Sequence, residues 1–272
     1  DKSAAKKHPE VISVLSAEDL IGKCKDIPGM PFGTIAEMQI PSIPVLARKK
    51  VFQVGQPVVA VIASSRYVAR DAVDLVEVQY DPLEAIVDPE DAMKPNAPII
   101  HDDLKDNRCF KWSASRGNVS DAFEKADVIV RERILNNRVA VAPIEPRGCV
   151  ADWNAKDKTF TVWVNTQHPN ATRAEFAELL GLPMESIRVI TKDVGGAFGA
   201  KQTEIEAIVT CAASVMLAKP VKWIASRAEE FQTMNIARGK RSDIELAATK
   251  EGKLTGLRFH YLTDLGAYCK GA

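Results

Sequence analysis

Residues 186–219 confine the chain to a narrow set of local folds. A strand-like run, "SIRVITKD" (186–193), is followed by "VGGAFGAK" (194–201) and then by a long apolar helix-like run, "TEIEAIVTCAASVMLAK" (203–219). Passing from strand to helix in so few residues demands a tight main chain. Glycine supplies this, because it reaches positive φ cheaply and lets other groups approach without a Cβ clash. N–H groups gathered beside a helix start form a concavity suited to an anion. Two phosphate motifs fail here. A Walker loop begun at Gly195 would need glycine at Ala200 and Ser or Thr at Gln202, and a dinucleotide fingerprint would need glycine at Ala197. Loop composition alone therefore leaves two readings level, a tight structural turn and a binding site. Phe198 either shields a ligand from water or plugs the core.

Periodicity around the loop predicts a mixture of strands and helices. "VFQVGQPVVAVIAS" (51–64) reads as two short strands about Gly55-Gln56-Pro57, "RYVARDAVDLV" as a helix and "EVQYDPL" as a returning strand. Residues 88–118 carry prolines and little periodicity, which predicts a long connection and a domain boundary near residue 110. Beyond it come a short helix, "VSDAFEKA", a strand, "DVIVRERIL", and a strand over 159–167 with Phe160, Val162 and Val164 on one face. A helix follows, with Thr172 and Glu175 at capping-box spacing and Gly181 and Pro183 as its stop. "VKWIAS" reads as a strand, and "DIELAATKEGKLTGLRFHYL" as a hairpin turning at Glu251-Gly252. No steady βαβ rhythm emerges, so the fold class is α+β in two domains, 1–110 and 111–272.

Charge removes several function classes. Lys+Arg and Asp+Glu both total 36, so no net field draws the chain to nucleic acid or an anionic membrane. The longest charge-free apolar stretch, residues 207–218, falls short of the roughly 20 residues a membrane span needs. Five scattered cysteines without a C-x-x-C pair argue against an iron–sulfur or zinc site in this chain and for reduced thiols in the cytoplasm. The sequons at Asn118 and Asn170 then read as chance matches. An opening without Met and a close just after a strand-like pattern suggest a piece of a longer chain.

Three stretches in order, "PIEPRGCVADW" (143–153), "VNTQHPNATR" (164–173) and "DVGGAFGAKQTE" (193–204), resemble the large, molybdenum-cofactor-binding subunits of the xanthine dehydrogenase/aldehyde oxidase family. The similarity is nearest in flavour to the carbon monoxide dehydrogenase type. Upstream, "GQPVVAVIASSRYVARDAVDLVEVQYDPLEAIVD" is similar to the family's α/β-hammerhead domain. The resemblance thus implies an amino-terminally incomplete hammerhead domain (1–110) followed by the first part of a molybdopterin-binding domain (111–272). It implies a molybdenum-pterin cofactor, including a cytosine dinucleotide form, and oxidation of an aldehyde, carbon monoxide or an N-heterocycle with water as oxygen source. Electrons would leave through iron–sulfur clusters and FAD on a small and a medium partner subunit, in a dimer of the heteromeric unit. The cofactor performs the redox chemistry in such enzymes, and the protein orients it.

Carried over by position, the resemblance makes Gln167 a donor to a molybdenum oxygen, for which a neutral amide N–H is suited because it donates without protonating. Gly195, Gly196, Ala197, Phe198 and Gly199 become the loop lining the molybdenum centre, with Gln167 and Phe198 nearest the metal. Gln202 replaces the glutamate that purine-oxidising members use on substrate, which disfavours xanthine and leaves Gln202 as either a substrate contact or an ordinary helix-start residue. Glu145 reads as a carboxylate anchoring main-chain N–H groups, Arg147 as structural, His168 as a core or cap residue and Lys201 as a surface residue. The family's catalytic glutamate corresponds to a position beyond residue 272, so no catalytic residue is expected here. Two other classes remain in view. One is a catalytically incomplete fragment or paralogue serving as a binding or assembly module; the other is a nucleotide-binding enzyme using the loop for phosphate.

Overall fold

A computed structural model describes residues 1–30, 37–202 and 204–270. In chain order the elements are α1 (Ser3–Lys7), β1 (Val11–Leu15), α2 (Ala17–Leu20), β2 (Ala60–Ala63), α3 (Arg66–Val73), α4 (Pro89–Ala92), α5 (Val119–Glu124), β3 (Val128–Asn136) and β4 (Val139–Ala140). Then follow β5 (Gly148–Asn154), β6 (Thr159–Val164), α6 (Pro169–Leu180), β7 (Ile187–Ile190), α7 (Ile205–Leu217), β8 (Val221–Ile224), α8 (Arg227–Thr233), β9 (Ile236–Ala237), β10 (Lys240–Ala248) and β11 (Leu254–Thr263). The mixture bears out an α+β class.

The chain packs as two units that each draw on separated segments. The first comprises Asp1–Pro28, Ser42–Leu83 and Val141–Asn235. Its main sheet has the order β7-β6-β5-β8, antiparallel except for the β6–β7 pair. Strand β6 alternates as its sequence requires: Phe160, Val162 and Val164 are buried while Thr161 and Trp163 turn away. Helix α7 packs on β5 and β8, and α6 packs on β7. Because α7 is apolar almost all round, it is buried from Ile205 through Ser214 except at the half-buried Glu206. Its two polar members are satisfied locally, Thr210 donating to the Glu206 carbonyl at 2.7 Å and Ser214 to the Lys219 carbonyl at 2.8 Å. A smaller β1–β2 pair buries Val14 and Leu15, and Leu20, Val45 and Leu46 are buried in the same unit.

The second unit comprises Gly29–Pro41, Glu84–Ala140 and Ile236–Ala272. Strands β11, β10 and β3 form an antiparallel sheet in that order, with β10 and β11 as the expected hairpin. Arg241 grips the Asp88 carboxylate through two N–H donors at 2.8 and 2.6 Å, tying the start of α4 to β10.

Three sequence expectations fail locally. Residues 51–54 form no strand: the Phe52 N–H donates to the Gln56 side chain at 2.8 Å, and a Cβ on Gly55 would lie 2.5 Å from the Gln232 carbonyl oxygen. This segment is a turn packed on α8. "EVQYDPL" also lacks a partner strand among the described residues; Val78, Tyr80 and Leu83 are exposed there. Thr172 does not cap α6. The helix begins one turn earlier, with His168 at the N-cap and Pro169 pre-set for the first turn, and the Thr172 hydroxyl instead meets the Thr166 hydroxyl at 2.9 Å.

Candidate functional site

The three motif stretches, distant in sequence, are tied pairwise by short hydrogen bonds. Asn165 joins the first two: its side-chain amide donates to the Pro146 carbonyl at 2.7 Å, and its oxygen accepts the Gly148 N–H at 2.9 Å. The second and third meet where the Gln167 N–H donates to the Lys201 carbonyl at 2.9 Å, with the Thr166 hydroxyl on the same oxygen at 3.4 Å. The first and third close the triangle through Glu145. One of its carboxylate oxygens accepts the Gly195 N–H at 2.8 Å and the Lys201 ammonium at 2.6 Å, while its own N–H donates to the Gly195 carbonyl at 3.1 Å. Burial pushes the Glu145 carboxyl up, but the Lys201 ammonium, the Gly195 N–H and the Asn165 side chain outweigh it and leave it below its ordinary value.

That triangle explains the loop. Gly195 is obligatory because a Cβ there would sit 2.6 Å from the Glu145 Cβ. Gly196 and Gly199 hold φ of +92° and +87°. Phe198 also adopts positive φ, 52°, which is uncommon for a bulky residue. Its ring is 71% exposed, so it does not plug the core. The Ala200 N–H closes a turn onto the Ala197 carbonyl at 2.9 Å. By contrast, the N–H groups of Gly196, Ala197, Phe198 and Gly199 have no acceptor among the described residues. The exposed side-chain amide of Gln167 also has no partner among them. Residues 196–199 make up a glycine-rich cradle whose N–H groups are not taken up by any described residue. Gln202 is half-buried and donates its amide to the Gly199 carbonyl at 3.2 Å.

Behind the cradle lies a buried charge cluster. Arg147, 3% exposed, donates its main-chain N–H and Nε to one Glu230 oxygen at 3.1 and 2.8 Å. Both of its terminal nitrogens reach Glu206 at 3.3 Å, one also meets Thr233, and the guanidinium lies over the Trp223 ring. Arg147 is thus structural, as expected. Glu204, at the N-cap of α7, is buried, and neither of its carboxylate oxygens has a partner among the described residues. Burial drives its pKa well above the usual carboxylate range, Arg147 opposing and Glu206 and Glu230 adding to the rise.

Two residues differ from expectation. Lys201 is not on the surface: it is 0% exposed. A salt-bridged lysine after a glycine loop has no local sequence signature, and only its spatial pairing with Glu145, 56 positions earlier, reveals it. His168 sits at a cap position, but its side chain makes no capping bond and it is exposed, so it belongs to neither the core nor a side-chain cap. Asn165 and Thr166 also escaped notice, although both lie within the "VNTQHP" stretch. No group of three or more His, Cys, Asp or Glu among the described residues could hold a metal ion. All five cysteines are free, and no described helix is long and apolar enough to cross a membrane.

Such a fold and glycine loop are compatible with a domain that binds an anionic prosthetic group. Sequence models agree: the molybdopterin cofactor-binding domain matches residues 100–272, and the α/β-hammerhead domain of aldehyde oxidase and xanthine dehydrogenase matches residues 1–84. The chain belongs to the molybdopterin-binding aldehyde oxidase and xanthine dehydrogenase family. It is 39% identical to the carbon monoxide dehydrogenase large chain of Afipia carboxidovorans, over 98% of this chain and 34% of that one. It is 36% identical to the nicotine 6-hydroxylase large subunit of Paenarthrobacter nicotinovorans, over 98% and 33%. The crystal structure of quinoline 2-oxidoreductase from Pseudomonas putida 86 superposes with a TM-score of 0.93 at 31% identity, covering 98% of this chain and 34% of that one. The chain spans about a third of the length of these relatives.

Proposed function

We propose that this chain is the cofactor-cradling part of the large subunit of a molybdenum hydroxylase, one that oxidises an aldehyde, carbon monoxide or an N-heterocycle. The observation carrying this reading is the run of four N–H groups, Gly196 to Gly199, without an acceptor among the described residues, in a loop joined to Gln167 through the Lys201 carbonyl. These residues suit a molybdenum-pterin cofactor, because their main-chain N–H groups and the Gln167 side-chain NH2 are donors and the cofactor's oxygens are acceptors. When bound, the cofactor supplies two-electron redox chemistry and delivers oxygen derived from water to the substrate.

The chain's own residues bind and orient. Gly196 and Gly199 let the main chain approach closely, and Gln167 donates without surrendering a proton. The exposed Phe198 ring covers the cradle against water. Gln202, an amide tied to the Gly199 carbonyl, presents no carboxylate to a purine, which favours other substrates. None of residues 1–272 is assigned as a catalytic base. Iron–sulfur and flavin subunits would take the electrons, in a dimer of the heteromeric unit within the cytoplasm. The hammerhead portion would run to about residue 110 and the cofactor-binding portion onward.

The test is the complete large subunit expressed with its partners. Molybdenum and pterin are expected in stoichiometric amounts, and their absence from active complex overturns the reading. Gln167→Ala is expected to lower turnover at least tenfold with the circular dichroism spectrum unchanged. Unchanged turnover removes Gln167 from the role given to it.

A further inference from the structure

We infer that Lys201 is a positioning residue that, with Glu145, locks the Gln167 amide to the glycine cradle and so sets the shape of the cofactor site. This rests on the molybdenum-cofactor reading above.

Lys201 makes two connections from opposite ends of one residue. Its carbonyl accepts the Gln167 N–H at 2.9 Å, fixing where the carboxamide side chain starts. Its ammonium donates to Glu145 at 2.6 Å, and the same carboxylate oxygen accepts the Gly195 N–H at 2.8 Å, fixing the first glycine of the cradle. Gln167 and Gly195 have no bond to each other among the described residues; one path between them runs through Lys201, and a second runs from Asn165 through Pro146 to Glu145. Between Gly195 and Lys201 the loop has one internal main-chain bond, from Ala200 to Ala197. Without the Lys201 ammonium the main-chain bonds and the Gln202–Gly199 bond persist, and what is lost is the hold on the Glu145 carboxylate that anchors the Gly195 N–H.

The chemistry of the pair supports a positioning role over simple filling of space. A buried cation is costly, and a Met or Leu of similar volume packs at least as well. An ammonium adds a short, directional bond that an apolar side chain lacks. Because Glu145 neutralises Lys201, the pair adds little net charge to the cradle, and its effect falls on geometry. Preorganised donors bind and stabilise charge only when held at their positions in advance.

The experiment uses the complete large subunit in its native complex, comparing wild type, Lys201→Met, Glu145→Gln and the double variant. Lys201→Met is expected to retain about tenfold less molybdenum and pterin after dialysis. Its remaining molybdenum should give a broadened and shifted Mo(V) electron paramagnetic resonance signal. Per molybdenum, kcat should fall about tenfold with KM changed less than twofold. The double variant should be no worse than Lys201→Met, because both substitutions cut the same tether. Wild-type molybdenum content and resonance signal in Lys201→Met overturn the inference, as do losses that simply add in the double variant. Should Lys201→Met fail to fold, Glu145→Gln, at a partly exposed side chain, decides by the same readouts. If wild type itself lacks molybdenum, the proposed function fails; if wild type is loaded and only the variants behave normally, the inference alone fails.

Discussion

Removing Glu230 should expose how much of the site's foundation depends on one buried ion pair. Glu230 is 0% exposed, and one of its oxygens takes both the Arg147 main-chain N–H and Nε. In Glu230→Ala the guanidinium stays buried, held by the two longer bonds to Glu206 and by Thr233. Breaking a buried pair from one side costs about 3–5 kcal/mol, because the remaining charge is desolvated without its partner. The Glu206 bonds retain part of the compensation, which places the expected loss near the lower end, about 3 kcal/mol. A chain of this size moves by roughly 2–4 °C per kcal/mol, so Tm should fall by about 6–12 °C. Calorimetry of Glu230→Ala measures this. Replacing both partners, as Arg147→Met with Glu230→Leu, should recover most of the loss. As an exposed counterpart, Glu245→Ala, which removes the surface contacts to Arg131 and Arg258, should leave Tm nearly unchanged. A Glu230→Ala loss below about 1 kcal/mol, or a double variant no better than the single, refutes the account of this cluster.

Two further perturbations test the loop and its surroundings. Glu204 has a folded pKa raised well above its ordinary 4.5, so the folded chain holds a proton that the unfolded chain releases. Stability should therefore be greatest below the unfolded value and decline as pH rises toward the folded one. In Glu204→Gln that decline should flatten, read as urea midpoints from pH 5 to 8; an unchanged slope would show that Glu204 is not the group responsible. Phe198→Gly relieves a left-handed conformation costing a non-glycine residue about 1–2 kcal/mol, offset by about 0.5–1 kcal/mol of added unfolded-chain entropy. With the ring largely exposed, a net gain of about 0.5 kcal/mol in urea unfolding is expected, and a clear loss would mean that the ring is packed after all.

Much of the fold was legible where a segment's pattern matched its surroundings. The alternation of Phe160, Val162 and Val164, the apolar run of α7 and the turn between β10 and β11 each specify their element through burial on a known period. Legibility failed where an apolar pattern had no neighbour to pair with. "VFQV" and "EVQYDPL" look like strands, but a strand exists only through a ladder partner, and sequence does not show where that partner lies. Thr172 failed for a related reason: a hydroxyl at capping spacing found a nearer partner in Thr166. In the site, Glu145 was readable as an anchor for main-chain N–H groups only through its place before Pro146 in the stretch that resembles the family, and Gly195 supplies that N–H.

The sequence alone determined that a strand must turn into a buried helix through a loop rich in glycine, and that no net charge pulls the chain toward nucleic acid. It also placed Gln167 and the glycines within reach of the same chemistry through their resemblance to a known family. Only the tertiary structure decided that Lys201 is buried, that Phe198 is exposed, and that four successive main-chain donors meet no acceptor among the described residues. The physical reason is that local pattern encodes burial and backbone conformation, whereas a charge's partner lies far along the chain, 83 residues away for Arg147 and Glu230 and 153 for Arg241 and Asp88.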